Sequence, residues 1–302
     1  MNRLGVVRLA AVAGVLAGML LVGCGGEEEE EKATPAPPTA TVAPSGFFDS
    51  DGVKIHYETF GEGAPIILVH GLFGSIEGDW VTTGLVDTLT GAGRRVIALD
   101  HRGHGESDKL QVPEDYRVEK MGQDVINMMD YLGIEKADIF GYSMGSFISS
   151  WVLINHQDRL NSVILGGTGG NLKPNDPAMA QAVYDALMAE DPSTITNPLM
   201  KVLRDAFDQA GADRETREAM AACAIQFLPL EQHYEASDFA DVKIPVMIIN
   251  GEEDTATAGV EDLVAAIPGA KLVTIPGPGA DHLGVRLTSQ FKEEVLSFLK
   301  AQ

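Results

Sequence analysis

One serine in this chain stands where a hydroxyl can act as a nucleophile. Ser143 lies between Gly141 and Gly145 in the pentapeptide G-Y-S-M-G, which follows an apolar run and precedes a stretch with helical spacing. A serine on a sharp turn from strand to helix takes a strained backbone conformation, and flanking glycines let the neighbouring chain pass close by. The pattern therefore predicts an exposed nucleophile. The alternative is a buried serine in a turn of small residues.

The elements around this turn predict the sheet that must position it. Short apolar runs rich in β-branched residues alternate with helix-length stretches from residue 47 onward. Strands that alternate with helices form a mostly parallel, doubly wound α/β sheet, and functional side chains follow the carboxyl ends of its strands. The six predicted strands are 64–70, 94–100, 137–143, 161–167, 244–250 and 270–275.

Composition and charge exclude several classes of protein. The 302 residues are 45% hydrophobic, enough for a sizeable core, and carry a net charge of −22. This charge repels phosphate backbones, so we expect no nucleic-acid partner. The sequence contains no H-E-x-x-H motif and no cysteine pair with metal-ligand spacing, so we also expect no metal site and no cofactor.

The first 46 residues differ from the rest of the chain. Arg3 and Arg8 precede an apolar stretch shorter than the roughly 20 residues that a membrane-spanning helix needs. This arrangement predicts a signal peptide over residues 1–23. Residues 24–46 combine a glutamate run with prolines and show no apolar periodicity, which is typical of a solvated tether. We expect the folded domain over residues 47–302.

The end of the apolar stretch, L-V-G-C at residues 21–24, resembles a bacterial lipobox. The resemblance implies that Cys24 is lipidated and holds an extracytoplasmic protein at a membrane of the cell envelope. The alternative is an uncleaved signal anchor, but the small Gly23 stands where cleavage would occur. With Cys24 lipidated, Cys223 would be the only remaining thiol, so no intramolecular disulfide could form. We expect Cys223 to pack within a helix.

Four motifs in this chain, taken together and in their order, resemble the α/β-hydrolase family, and the likeness covers nearly all of residues 47–302. The resemblance implies the α/β sheet described above and an active site at the carboxyl ends of its strands. The motifs are L-V-H-G-L-F-G-S at 68–75, L-D-H-R-G-H-G-E-S-D at 99–108, the G-x-S-x-G turn, and a split element at 249–255 and 276–284.

The family resemblance implies a catalytic triad. It assigns the nucleophile to Ser143, the general base to His282 and the supporting carboxylate to Asp254, in the chain order Ser, Asp, His. The histidine would take the serine proton during attack and return it to the leaving group, and the carboxylate would fix the imidazole. Asp254 matches the family's G-x-x-D spacing, and the neighbouring Glu252 and Glu253 are the competing carboxylates.

The resemblance also implies an oxyanion hole made of backbone N–H groups. These map to Leu72 and Met144, with Phe73 in place of Leu72 if the loop is shifted by one residue. In the family, the histidine before the loop, here His70, organises backbone and moves no protons. For His101 and His104 we expect hydrogen-bonding roles.

A long insertion separates the fourth and fifth predicted strands. It runs from Asn171 to about Asp241, has helical apolar spacing, and resembles the helical cap of the family. Substrate choice would then depend on apolar residues of this cap. The candidates, each of which could instead be helix packing, are Met179, Tyr184, Leu187, Phe207, Phe227 and Tyr234.

The nucleophile position narrows the chemistry. Epoxide hydrolases and haloalkane dehalogenases of this family carry an aspartate there, so Ser143 argues against both. The expected function is hydrolysis of small or medium carboxylic esters through an acyl-enzyme. The alternatives are a non-catalytic ligand-binding or receptor protein of the same fold, hydrolysis of a lactone, a thioester or a C–C bond, and acyl transfer.

Overall fold

The computed structural model describes residues 44–169, 177–229 and 234–302. The predicted signal peptide, Cys24 and the tether up to residue 43 lie outside this part of the chain. The first strand spans Ser45–Ser50, so the last two residues of the predicted tether already pair in the sheet. Among the described residues, no helix combines the length and apolar character needed to cross a membrane.

The described chain forms one eight-stranded, mostly parallel sheet in the order β1-β2-β4-β3-β5-β6-β7-β8. The first two strands form an antiparallel hairpin and β2 also pairs antiparallel with β4, whereas the remaining neighbours are parallel. The strands are β1 Ser45–Ser50, β2 Val53–Phe60, β3 Ala64–Val69, β4 Arg94–Leu99, β5 Ala137–Tyr142, β6 Leu160–Gly166, β7 Val246–Gly251 and β8 Lys271–Ile275.

This sheet confirms the predicted fold class. The six strands predicted from apolar runs correspond to β3 through β8. The β1-β2 hairpin was not among them. Its strands have exposed or half-buried positions interspersed with buried ones, so they lack the continuous apolar run that marks a strand buried on both faces.

Helices cover both faces of the sheet. Along β3, Ile66 and Leu68 join the core on one face, while Ile67 and Val69 join the core on the other, as the two-residue period of a strand requires. Helices α1 and α8 pack on the first face, and α2, α3 and α7 pack on the second. Their bounds are α1 Leu85–Gly91, α2 Val118–Tyr131, α3 Met144–His156, α7 Val260–Ala266 and α8 Ser289–Lys300.

Three further helices lie in the insertion between β6 and β7, where the sequence resembles a cap. They are α4 Pro177–Met188, α5 Pro198–Gln209 and α6 Arg214–Phe227. Asn197 and Asp213 accept hydrogen bonds from backbone N–H groups in the first turns of α5 and α6, which is how such side chains start a helix. Cys223 is buried within α6, and burial raises the pKa of its thiol, so it packs as an apolar side chain.

Candidate active site

Ser143 lies on the turn between β5 and α3, at the carboxyl end of a central strand. Its φ of 53° and ψ of −119° are unusual for a residue with a side chain. The Ser143 N–H donates to the Gly166 carbonyl at 2.9 Å, and the Ser143 carbonyl accepts from Ser146 N–H at 2.8 Å. Such a conformation costs about 1–3 kcal/mol and persists only where its surroundings hold it.

Close backbone packing explains the two glycines of this turn. A Cβ atom on Gly145 would overlap the carbonyl oxygen of Val69 at the end of β3, and one on Gly141 would overlap the carbonyl oxygen of Gly145. No side chain fits at either position without moving the backbone. The G-x-S-x-G spacing therefore lets the start of α3 approach the sheet closely enough to present Ser143.

The structure brings together the three residues that the sequence predicts as a triad. His282 Nε2 lies 3.0 Å from Ser143 Oγ, and His282 Nδ1 lies 2.8 Å from Asp254 Oδ2. The Asp254 side chain is fully buried, whereas the His282 side chain is 30% exposed. The other oxygen of Asp254 accepts a hydrogen bond from Ala256 N–H at 2.9 Å, which fixes the carboxylate toward the imidazole. A proton can therefore pass from the hydroxyl to the imidazole.

The two competing carboxylates have other partners. Glu252 accepts a hydrogen bond from Gly277 N–H at 3.1 Å, and Glu253 accepts one from Gly279 N–H at 3.0 Å. Both glycines lie in the loop that leads to His282. These glutamates therefore hold the histidine loop, while Asp254 is the carboxylate that reaches the ring.

The loop after β3 orients one N–H group, that of Leu72. The carbonyl of Gly71 accepts hydrogen bonds from His70 Nδ1 at 2.8 Å and from Gly74 N–H at 3.1 Å. Because the Gly71–Leu72 peptide is planar and trans, the Leu72 N–H points away from those donors. Among the described residues it has no acceptor. The neighbouring Phe73 N–H, by contrast, already donates to a histidine ring nitrogen.

Met144 supplies the second predicted donor. It is the first residue of α3, so its N–H is one of the groups that have no partner within the helix. None of the described residues accepts a hydrogen bond from it. The N-terminus of a helix also favours negative charge. The N–H groups of Leu72 and Met144 thus have no acceptor among the described residues, and their pairing as an oxyanion hole stays a prediction.

Three buried histidines support this loop, and one of them corrects an expectation. His70 Nε2 accepts the His101 N–H at 3.0 Å, and His104 Nε2 accepts the Phe73 N–H at 3.3 Å. Burial lowers the pKa of His104 to about 3, so its ring stays neutral and able to accept. The expected hydrogen-bonding role of the His101 ring is wrong: neither of its nitrogens has a partner among the described residues. Its ring instead packs 4.4 Å from that of His70.

Two aromatic contacts join the cap to the residues around Ser143. The ring of Phe73, in the loop after β3, meets the ring of Phe207 of α5 edge-on at 5.6 Å between centroids. The ring of Phe147, one turn into α3, meets Phe227 of α6 edge-on at 5.2 Å. At these two contacts, the side chains that meet between the cap and the residues around Ser143 are apolar.

The other cap residues proposed from the sequence lie elsewhere. Met179 and Tyr184 are 45% and 39% exposed, and Leu187 is buried in the core. The Tyr234 hydroxyl donates to the Phe147 carbonyl at 2.7 Å, so it supports the backbone of α3 at Phe147. The folded structure therefore distinguishes these four residues from Phe207 and Phe227, whose rings contact Phe73 and Phe147. The helical spacing in the sequence could not make this distinction.

Sequence reasoning missed three residues that surround the triad: Asp79, Tyr142 and Arg286. Asp79 accepts the Gly71 N–H at 2.8 Å, and the Tyr142 hydroxyl donates to the His282 carbonyl at 2.7 Å. Arg286 forms an ion pair with Asp79. The sequence offered one signal, because Arg286 is the only charged residue in the stretch 283–291 that follows His282.

The comparisons with known proteins define the class to which this fold and site belong. A model of the alpha/beta hydrolase fold matches residues 64–283, which include the Ser143 turn, Asp254 and His282. That match extends over more than half of the chain. The chain therefore belongs to the alpha/beta hydrolase fold family, as its motifs predict, and this membership supports a hydrolase.

Three individual relatives share between 26% and 33% of their aligned residues with this chain. The chain is 29% identical over 209 residues to 3-oxoadipate enol-lactonase 1 of Acinetobacter baylyi. This alignment covers 65% of this chain and 74% of the lactonase. It is 33% identical over 104 residues to epoxide hydrolase B of Mycobacterium tuberculosis, 34% of this chain and 28% of that protein. The crystal structure of a hydrolase from Pseudomonas aeruginosa PA01 superposes with a TM-score of 0.67 at 26% identity, covering 84% of this chain and 98% of that one.

Proposed function

We propose that this chain is a serine hydrolase that cleaves carboxylic esters through an acyl-enzyme on Ser143. The observation that carries the proposal is the unbroken hydrogen-bond chain from the Ser143 hydroxyl through His282 to the buried Asp254, with distances of 3.0 and 2.8 Å. A free serine hydroxyl is a weak nucleophile at neutral pH, and this arrangement is what activates it.

In the proposed acylation, Ser143 Oγ attacks the ester carbonyl carbon while His282 Nε2 takes the hydroxyl proton. The oxyanion that develops accepts hydrogen bonds from the N–H groups of Leu72 and Met144. His282 then returns the proton to the departing alcohol, and buried Asp254 stabilises the imidazolium in between. Water attacks the acyl group by the same steps in reverse order and frees Ser143.

The rings of Phe73, Phe147, Phe207 and Phe227, here called the apolar wall, favour an uncharged acyl group in the substrate. Phe147 lies one turn after Ser143 in α3 and Phe73 lies in the loop after β3, and their rings contact Phe227 and Phe207 of the cap. Burial of a methylene against such a wall contributes about 0.8 kcal/mol, so each carbon added to the acyl chain should favour binding until the wall ends. A carboxylate on the acyl group would lose hydration against these four rings, which carry no hydrogen-bond donor for it.

A lactone is the second candidate substrate, and the similarity to an enol-lactonase favours it. A lactone is a cyclic ester, so the same attack on the carbonyl applies and the leaving hydroxyl stays attached to the acyl group. The non-catalytic alternative is less well supported. A protein that only binds its ligand has no physical need for the aligned Ser143, His282 and Asp254.

We further propose that lipidated Cys24 anchors the hydrolase in a bacterial cell envelope. The lipobox-like residues 21–24 and the charged stretch after them support this localisation. A Cys24→Ala variant is expected to move from the membrane fraction to the soluble envelope fraction with its activity unchanged. Continued membrane attachment of the variant would contradict the lipid anchor.

The function is tested by hydrolysis of p-nitrophenyl esters from acetate to palmitate by the full chain, with γ-butyrolactone derivatives assayed in parallel. The proposal predicts an optimum at a short or medium acyl chain and loss of activity in Ser143→Ala. Ser149→Ala is the matched control, because Ser149 is a buried serine of helix α3, which follows Ser143, and its hydroxyl has no hydrogen-bond partner among the described residues. Activity that survives in Ser143→Ala would refute the mechanism.

A further inference from the structure

We propose that the ion pair between Asp79 and Arg286 is a positioning unit that fixes the oxyanion loop relative to Ser143 and His282. This inference rests on the proposed function, since it concerns the N–H group of Leu72 that would stabilise the oxyanion. Asp79 and Arg286 touch none of the reacting atoms. They act through the backbone and side chains that do.

The pair joins two segments that are distant in sequence. Asp79 lies in the π-helical segment Ile76–Val81 that follows the oxyanion loop, and Arg286 lies in the 3-10 turn Gly284–Leu287 that follows His282. Arg286 Nη1 is 2.9 Å from Asp79 Oδ1, and the two side chains are only 7% and 13% exposed. The contact therefore connects the oxyanion loop to the histidine loop in a largely water-free environment.

Asp79 holds the oxyanion loop through its second oxygen. Oδ2 accepts the Gly71 N–H at 2.8 Å, while on the other side of Leu72 the Phe73 N–H donates to His104. Leu72 thus stands between two anchored N–H groups. Loss of the Gly71 anchor would let the intervening peptide rotate, and a donor that has turned from the oxyanion contributes little.

Arg286 reaches the other two catalytic segments through Tyr142. The guanidinium carbon lies 4.4 Å from the centre of the Tyr142 ring, a cation–π contact. The Tyr142 hydroxyl donates to the His282 carbonyl at 2.7 Å, and Tyr142 directly precedes Ser143. One guanidinium thus contacts both the residue that anchors the oxyanion loop and the residue that braces the nucleophile and the histidine.

Electrostatics explains why the acceptor for Gly71 needs a cation beside it. An ionised carboxylate close to the oxyanion hole opposes the negative charge that develops there, and low exposure weakens solvent screening of that repulsion. Arg286 neutralises Asp79 locally, in a chain whose net charge is −22. Removal of Arg286 alone should therefore harm catalysis more than replacement of both residues by neutral amides.

The test compares Arg286→Gln, Asp79→Asn and the double variant in the full chain, with kcat and KM for p-nitrophenyl butyrate expressed per active site titrated with a fluorophosphonate. We expect kcat of Arg286→Gln to fall about 10- to 100-fold with KM within about twofold, because the affected N–H acts on the transition state. We expect the double variant to recover part of that loss. The kcat of Arg286→Lys, which keeps the positive charge, should fall less than that of Arg286→Gln. If Arg286→Gln yields no active sites that can be titrated, Arg286→Lys is measured in its place.

Arg94→Gln is the matched control. Arg94 forms a similarly buried ion pair with Asp138, but at the amino ends of β4 and β5, away from Ser143. Its loss should lower stability and leave kcat per titrated site unchanged. The proposal is overturned if Arg286→Gln keeps the parent kcat or if Arg94→Gln loses as much. A parent chain that neither hydrolyses the ester nor reacts with the fluorophosphonate overturns the proposed function, and this inference with it.

Discussion

The carboxyl end of the sheet and the cap hold their side chains in different ways. Around Ser143, positions are set by hydrogen bonds of 2.7–3.3 Å and by backbone contacts too close for a Cβ atom. In the cap, two of the contacts with the residues around Ser143 are between apolar rings, and other apolar residues such as Leu199 and Val202 of α5 are 60% and 66% exposed. Hydrogen bonds fix direction, whereas apolar contacts fix mainly area.

This difference separates the reaction from the choice of substrate. A proton relay works only when donors and acceptors are aligned within a few tenths of an ångström, so its residues tolerate little change. An apolar wall can lose or gain a methylene and still bind a substrate of another length. We therefore expect substitutions at the sheet end to reduce catalysis or stability steeply, and substitutions in the cap to change selectivity.

The largest expected effect is in Asp254→Asn. An asparagine keeps the shape but holds His282 in the wrong tautomer, so kcat for p-nitrophenyl butyrate should fall about 10⁴-fold. Glu253→Gln is the matched control, since glutamine can still accept the Gly279 N–H, and it should keep kcat within about tenfold. Equal losses of kcat in the two variants would show that Asp254 is not the carboxylate that orients His282.

A methyl group on Gly145 should cost stability at the sheet end. Gly145→Ala places a Cβ atom against the Val69 carbonyl, and such overpacking costs about 1–3 kcal/mol or more in the free energy of unfolding. Gly91→Ala, on the outer helix α1, is the control, because its Cβ atom would meet nothing within 4 Å. Urea denaturation measures both, and a Gly145→Ala variant as stable as Gly91→Ala would contradict the close packing.

A cap substitution should change selectivity with a smaller effect. Phe207→Ala removes the ring that meets Phe73, so the ratio of kcat/KM for hexanoate to that for acetate should change about tenfold. Val202→Ala, an exposed position of the same helix, should leave that ratio unchanged. If Phe207→Ala lowers activity on all esters equally, the cap contributes to folding and not to substrate choice.

The last expected effect is a change in the pH dependence of stability. Burial lowers the pKa of His104 to about 3. In the unfolded chain this histidine takes up a proton near pH 6.5, whereas in the folded chain it stays neutral down to about pH 3. The free energy of unfolding is therefore highest above pH 6.5 and falls as the pH drops toward 3. His104→Gln should flatten the slope of unfolding free energy against pH in this range, by at most about 1.4 kcal/mol per pH unit. An unchanged slope in urea denaturation at pH 4 to 7 would contradict this assignment.

The sequence predicted those features of the fold and site that a short pattern of residues determines. The six parallel strands follow from apolar runs, the Ser143 turn follows from a glycine spacing that is steric, and Asp254 and His282 were assigned by the family resemblance. Contacts between distant segments left no such pattern, and the pairing of Asp79 with Arg286 requires the sheet to be folded. The lack of a hydrogen-bond partner for the His101 ring among the described residues and the exposure of Met179 are likewise outcomes of tertiary packing, which side-chain type and helical period do not determine.

The central claim is that Ser143 is a nucleophile activated by His282. The most direct measurement is the reaction of the full chain with a fluorophosphonate, followed by mass spectrometry of the peptide that contains residue 143. We predict one label per chain on Ser143, labelling at least about 100-fold slower in His282→Ala, and an unchanged rate in Ser149→Ala. A label on another residue, or an equal rate in His282→Ala, would contradict the claim.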